Sequence, residues 1–162
     1  MVSKEKLIRT IIEGRRECYV KKSPSYNPYT KSELYDWEFR LETDDFIFTD
    51  SYRGVNPYSG VEYVYKKGIS VPVWSCDYVG YVNHDSDVPP GEVYGFLKEA
   101  RGTHLNACGN NLFTNYVYEN GLFRYETIFQ GDIHSLLQIE NFYFRNQPVA
   151  QQITAGRLKL PG

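Results

Sequence analysis

Three acids and a group of rings on consecutive strand-like segments are the residues of this sequence best suited to chemistry. Asp50, Glu62 and Asp77 fall on neighbouring segments. Carboxylates placed so could carry acid–base work, accept hydrogen bonds from a ligand's amines, or bond Arg53 and tyrosine hydroxyls structurally. Trp37, Tyr52, Tyr58, Trp74 and Tyr78 offer indole and phenol faces that can sandwich a planar ring, and Arg53 can pair with a phosphate or carboxylate. Arg53 precedes Gly54, so its guanidinium is expected at a strand end, within reach of an anion. Both tryptophans would serve equally well as core anchors. The expected ligand-binding set is Asp50, Tyr52, Arg53, Tyr58, Glu62, Trp74 and Tyr78.

Other chemistries have weaker support. His84, His104 and His134 share no i, i+4 spacing and read as ordinary surface histidines, so no metal is expected. Cys76 reads as core. Cys108, in Asn106-Ala107-Cys108-Gly109-Asn110, could pair with His104, but a small buried thiol is the plainer reading. No GxSxG, P-loop or GxGxxG is present. The set therefore points to binding without catalysis and without a cofactor.

A run of short elements must position these residues. Ser3 is a plausible N-cap for a helix with Leu7, Ile8, Ile11 and Ile12 on one face and Gly14 as its stop. Cys18-Tyr19-Val20 reads as a short strand and 22–32 as a long, potentially functional loop. Strands are expected over 34–41, 46–52, 60–66 and 71–82, joined by turns. A second helix begins at Pro89-Pro90, carries Val93, Phe96, Leu97 and Ala100 on one face, and stops at Gly102. Strands then resume over 111–118, 122–129, 137–144 and 149–157, with Asn120-Gly121 the clearest hairpin signal.

Composition bounds the class. A chain of 162 residues with 41% hydrophobic and 23% charged residues is long enough for one self-sufficient domain. It has no apolar run of membrane-spanning length. A net charge of −2, with Arg15-Arg16 and Lys21-Lys22 the largest basic clusters, argues against direct nucleic-acid binding. The N-terminus lacks a signal-peptide pattern and the three cysteines are odd in number, so a cytoplasmic protein without disulfides is expected. The 15 tyrosines and nine phenylalanines suit a sheet-rich fold and a binding surface.

The order helix-then-strands occurs twice. Residues 46–54 align with 123–131, Glu62 with Glu140, Tyr65 with Tyr143, Pro72-Val73 with Pro148-Val149 and Gly80 with Gly156. The expected fold is α+β: two tandem helix-plus-four-strand repeats, about 1–83 and 84–162, forming antiparallel sheet with both helices on one face. Asp50, Arg53, Trp74 and Tyr78 face Thr127, Gln130, Ala150 and Thr154 in this alignment, so the chemistry is expected in the first copy.

Asp50-x-Tyr52-x-Gly54, Gly60-x-Glu62-x-Val64-Tyr65, Pro72-Val73-Trp74 and Tyr78-x-Gly80 resemble a bacterial family known only as a domain of unknown function. Its members are sometimes attached to an XRE-type helix-turn-helix. The similarity extends to Phe96-Leu97-Lys98-Glu99-Ala100 and Gly131-Asp132-Ile133. Leu137 and Thr154 depart from the Gly and Tyr that the family pattern leads one to expect. The resemblance implies a sensor-like or sequestering role. The leading expectation is non-catalytic binding of a small molecule, nucleotide-like or an aromatic metabolite, for sensing or for sequestration as phage-encoded immune antagonists do. A protein-interaction module comes second, with a homodimer expected because open sheet edges invite pairing. A hydrolase-like enzyme using Asp50 and Glu62 comes third.

Overall fold

The computed structural model describes residues 3–159; Met1 and Val2, the first residues read for a signal peptide, lie outside it. Helix α1 spans Lys4–Arg15, with the Ser3 hydroxyl accepting from the Lys6 N–H. Its buried face runs Leu7, Ile11 and then, at the same four-residue step, Arg15. Gly14 does not end it. That residue is helical and buried, and a Cβ there would stand 2.4 Å from the Phe48 ring. Nor is 18–20 a strand: Arg16–Val20 form a π-helical turn, fastened to the second helix where Arg16 Nη2 donates to the Leu105 carbonyl at 2.6 Å.

The strands are β1 (Thr30–Lys31), β2 (Trp37–Glu42), β3 (Phe46–Gly54), β4 (Tyr58–Lys66), β5 (Trp74–Val82), β6 (Tyr116–Asn120), β7 (Phe123–Asp132), β8 (Ser135–Phe144) and β9 (Gln147–Leu158). Helix α2, Pro90–Ala107, separates β5 from β6. It runs straight through Gly102, the expected stop, where a Cβ would come within 3.0 Å of Val20. Leu34 and Val71 are exposed and precede their strands rather than opening them. After Val71 comes Pro72, which has no N–H for a ladder. The hairpin signalled by Asn120-Gly121 is present one residue on, with Gly121 (φ +60°) and Leu122 in the turn and Asn120 paired with Phe123. A second two-residue turn uses Arg145 and Asn146 at φ 49° and 62°, with no glycine to announce it.

All strands join one nine-stranded antiparallel sheet in the order β1-β2-β3-β4-β5-β9-β8-β7-β6. The architecture is α+β, one large sheet with two helices. Among the described residues no helix is long and apolar enough to cross a membrane. The seam is the β5–β9 pair, where Tyr78 sits opposite Thr154, with Cys76 opposite Gly156 and Gly80 opposite Gln152. Residues directly opposite in a sheet point to the same face. One row thus reads Trp37, Tyr52, Gly60, Tyr78, Thr154, Gln138, Phe129 across seven strands. Flanking rows carry Asp50, Glu62 and Cys76 on one side of the seam and Thr127, Glu140 and Gln152 on the other. These rows face the helices. Two apolar clusters fill the ends of the layer: Leu7, Ile11, Phe48 and Trp74 under α1, and Val93, Leu97, Tyr125 and Phe142 under α2.

Candidate functional site

Between the two clusters the helix-facing side of the sheet is polar and not filled. A cavity of about 720 Å³ lies there, within the 300–1,000 Å³ range roughly typical of small-molecule sites. The sheet forms one wall; α1, the π-turn, the 22–29 loop and α2 form the others.

Each helix sends one arginine down to one glutamate. Arg15 meets Glu62 with Nη2–Oε2 at 2.8 Å and Nε–Oε1 at 3.0 Å. Arg101 meets Glu140 with Nε–Oε1 at 2.8 Å and Nη2–Oε2 at 2.9 Å. Both pairs are nearly buried, so each charge is tolerable only because its partner is present. Burial works against the Arg15 charge, but Glu62 outweighs it and the guanidinium is held more firmly protonated than usual. The Arg101 fork also reaches Gln152 Oε1 at 2.7 Å, and its plane lies 4.9 Å from the Tyr19 ring centre.

The surroundings of the two glutamates differ. Beside Glu62, the Cys76 thiol donates at 3.2 Å, and Asp50 faces it across the β3–β4 ladder. Asp50 is 4% exposed and accepts from the Tyr29 hydroxyl at 2.6 Å and the Tyr78 hydroxyl at 2.7 Å. Burial, and then the negative charge of Glu62, push its carboxyl up to about 7. It therefore stands poised between neutral and ionised at ordinary pH. Beside Glu140, Tyr125 donates at 2.9 Å, and the position opposite holds Thr127, which accepts from Gln138 at 3.0 Å. Burial holds Tyr29, Tyr78 and Tyr125 as neutral donors and keeps the Cys18 and Cys76 thiols protonated, so neither thiol is an activated nucleophile.

Two glycines make room for this network. The Tyr78 ring crosses Gly60 to reach Asp50, and a Cβ on Gly60 would stand 2.3 Å from its hydroxyl. The Tyr58 ring crosses Gly80 in the same way, and its hydroxyl donates to Gln152 at 2.8 Å.

Five of the seven expected site residues line this cavity: Asp50, Tyr52, Tyr58, Glu62 and Tyr78. Arg53 does not. Strand alternation puts it on the face opposite Tyr52, exposed to solvent. Trp74 points to the helix side but lies outside the cavity, fully buried in the cluster under α1, where it is an anchor and not a stacking platform. His104 is no surface histidine. It lies on α2, 4% exposed, in the cavity wall, with its ring stacked 5.1 Å from Tyr116 and its buried Nε2 without a partner among the described residues. Burial lowers it to about 4, so it is neutral. Cys108 caps the end of α2, its N–H donating to the His104 carbonyl and its thiol to the Leu105 carbonyl, so the thiol does not engage the His104 ring. Among the described residues no group of three potential metal ligands is present.

The residues missed from sequence come mostly from the helices and the 22–29 loop. Arg15 and Arg101 had a signal: each falls in phase with a buried stripe, Leu7-Ile11-Arg15 and Leu97-Arg101-Leu105. A cation in phase with an apolar face points to a buried acid opposite. Lys22 and Tyr29 had only the length of their loop. The Lys22 ammonium lies 5.5 Å from the ring centres of Tyr29, Trp37 and Tyr52 and donates to the Tyr52 hydroxyl at 2.8 Å.

No curated protein and no solved structure matches the chain. Residues 50–158 match the DUF5680 domain of unknown function, a stretch that holds Asp50, Glu62, Tyr78, Arg101 and Glu140 but begins after Arg15, Lys22 and Tyr29. That stretch is more than half of the chain, and the protein belongs to the DUF5680 family.

Proposed function

We propose that the protein is a non-catalytic small-molecule binding module, acting as a sensor or by sequestration, with the cavity under α1 and α2 as its site. The observation that carries this reading is a cavity of ligand size walled by tyrosines and by polar groups that are already oriented by one another. A planar, polar molecule, nucleotide-like or an aromatic metabolite, suits such walls. The enzymatic alternative would use Asp50 and Glu62. It stands behind, because Glu62 is committed to a two-point contact with Arg15 and has little freedom to move a proton.

The helix α2 supports the same reading. Gly91 and Gly95 line the cavity, and a Cβ at either would meet nothing within 4 Å. Glycine inside a helix costs roughly 1 kcal/mol against alanine, and packing does not require it here. An open entrance does. Gly95→Phe should therefore fill the entrance while folding at least as stably as the parent. Solvent extracts of the protein as isolated, read by mass spectrometry, should contain a compound that Gly95→Phe lacks. Identical extracts from the two proteins, with no stabilisation of the parent by a metabolite panel, would overturn the binding reading.

A gene duplication underlies the site in this reading. It is supported by the seam register, in which Tyr78 faces its own counterpart Thr154, and by the two helix-to-strand Arg–Glu pairs at equivalent places. The interaction-module reading has one observation in its favour. On the sheet face away from the helices, Val79 and Ile153 pair across the seam and are 48% and 41% exposed, with Tyr81 beside them. A homodimer through this face should dissociate on Val79→Lys, as read by light scattering.

A further inference from the structure

We infer that the cavity takes an acidic aromatic ligand, its acid group held by Lys22 and Lys98 at the entrance and its ring among the tyrosines of the walls. The inference rests on the small-molecule reading above and names the ligand's chemistry.

Charge decides the sign of the ligand. Inside the cavity, Arg15 is cancelled by Glu62 and Arg101 by Glu140. Asp50, the third acid, already takes two tyrosine hydroxyls. At the entrance nothing cancels Lys22 or Lys98: among the described residues neither ammonium forms an ion pair. Lys22 rests among three rings and on the Tyr52 hydroxyl, and Lys98 donates to the Lys22 backbone carbonyl. Two cations thus line the same cavity, positioned by aromatic faces and a carbonyl rather than by acids, an arrangement that an anion relieves. A cationic ligand would have to evict Lys22 from its rings and would still meet Lys98.

The deeper walls suit the rest of such a molecule. Tyr19, Tyr58 and Tyr78 line the cavity with rings, while Arg101 and Asp50 are already satisfied by Glu140 and by two tyrosine hydroxyls. The interior therefore favours an aromatic body, and the entrance an acid.

The test compares the four common ribonucleoside 5′-monophosphates with their parent nucleosides, by thermal shift and by tryptophan fluorescence titration. At least one monophosphate should raise the melting temperature at millimolar concentration and bind about tenfold or more tighter than its nucleoside, the scale of a charge-assisted contact. Lys22→Ala and Lys98→Ala, at half-buried positions, should each remove most of that difference. Equal binding of the two members of each pair, or lysine variants that bind like the parent, overturns the inference. So does failure of all eight compounds. If a compound present in the parent's extract is absent from the Gly95→Phe extract while all eight fail, this inference falls and the binding reading stands; if the extracts also agree, both fall.

Discussion

The two ends of the polar layer are built on the same device and put to different use. Near α1, the Arg15–Glu62 pair stands beside a second acid, Asp50, held by two tyrosines. Near α2, the Arg101–Glu140 pair stands beside Thr127 and Gln152, which carry no charge. What the ends share is a self-neutralising clasp between helix and sheet, and that is scaffold. What distinguishes them beside the clasps is Asp50, a second carboxylate near α1 where the α2 side has a threonine.

The clasp is the costliest thing to break. Arg15→Met and Arg101→Met each leave a glutamate buried without its cation, and each should destabilise by about 3–5 kcal/mol in urea denaturation. Replacing the whole pair, Arg101→Met with Glu140→Leu, should recover most of the loss. A large cost at Arg101 with a negligible one at Arg15 would show that the two clasps are not equivalent.

The hydroxyl contacts come next. Tyr125→Phe removes a donor from Glu140 and Tyr78→Phe removes one from Asp50; each should cost about 1–3 kcal/mol by the same measurement near neutral pH. Below pH 5 the ends should part. Asp50 is then protonated and needs its tyrosines less, so the Tyr78→Phe penalty should shrink while that of Tyr125→Phe persists.

The pH profile of stability sharpens the contrast further. Folded Asp50 titrates near 7, above its ordinary 3.8, so it retains a proton that the unfolded chain has lost. Its contribution is full below about pH 4 and declines as pH rises towards 7. Folded His104 titrates near 4, below its ordinary 6.5, so its contribution is present above 6.5 and is lost as pH falls towards 4. The two slopes oppose each other in the parent. Asp50→Asn should leave stability rising from pH 4 to 6.5, and His104→Phe should leave it falling from pH 4 to 7. Melting temperatures across that range decide both. The smallest effect is expected at Arg53. Exposed on the far face, Arg53→Ala should change stability by no more than about 0.5 kcal/mol and leave binding in the cavity untouched.

Arg53 also marks where sequence reading stops. Alternation along β3 separates Tyr52 from Arg53 with certainty, yet adjacency in the chain invites grouping them. The strand pairs were legible because turns and alternation are local signals, and so were Asp50, Glu62 and Tyr78, which share a face in the right register. The continuation of α1 and α2 through Gly14 and Gly102 was not, because those glycines serve contacts with Phe48 and Val20, which only the tertiary fold brings near. His104 continues the stripe of Val93, Phe96, Leu97 and Ala100, a signal that is lost once Gly102 is taken to stop the helix. The arginines lie between these cases, visible as charges in phase with an apolar stripe but lacking, in sequence, an address for their partners.

The seam has a consequence for how the molecule comes into being. β9 is the last strand made, yet it fills the middle of the sheet, between β5 and β8. Until it emerges, β5 stands as a bare edge with Tyr78 and Val79 displayed, and the later strands have nothing to close against. The join between the halves must therefore form after the other eight strands have been synthesised, and across a long span of chain, which makes it slow. During that interval the waiting edge of one nascent chain is a template for the matching strand of another, so crowding on the ribosome should favour strand-exchanged pairs over properly closed monomers.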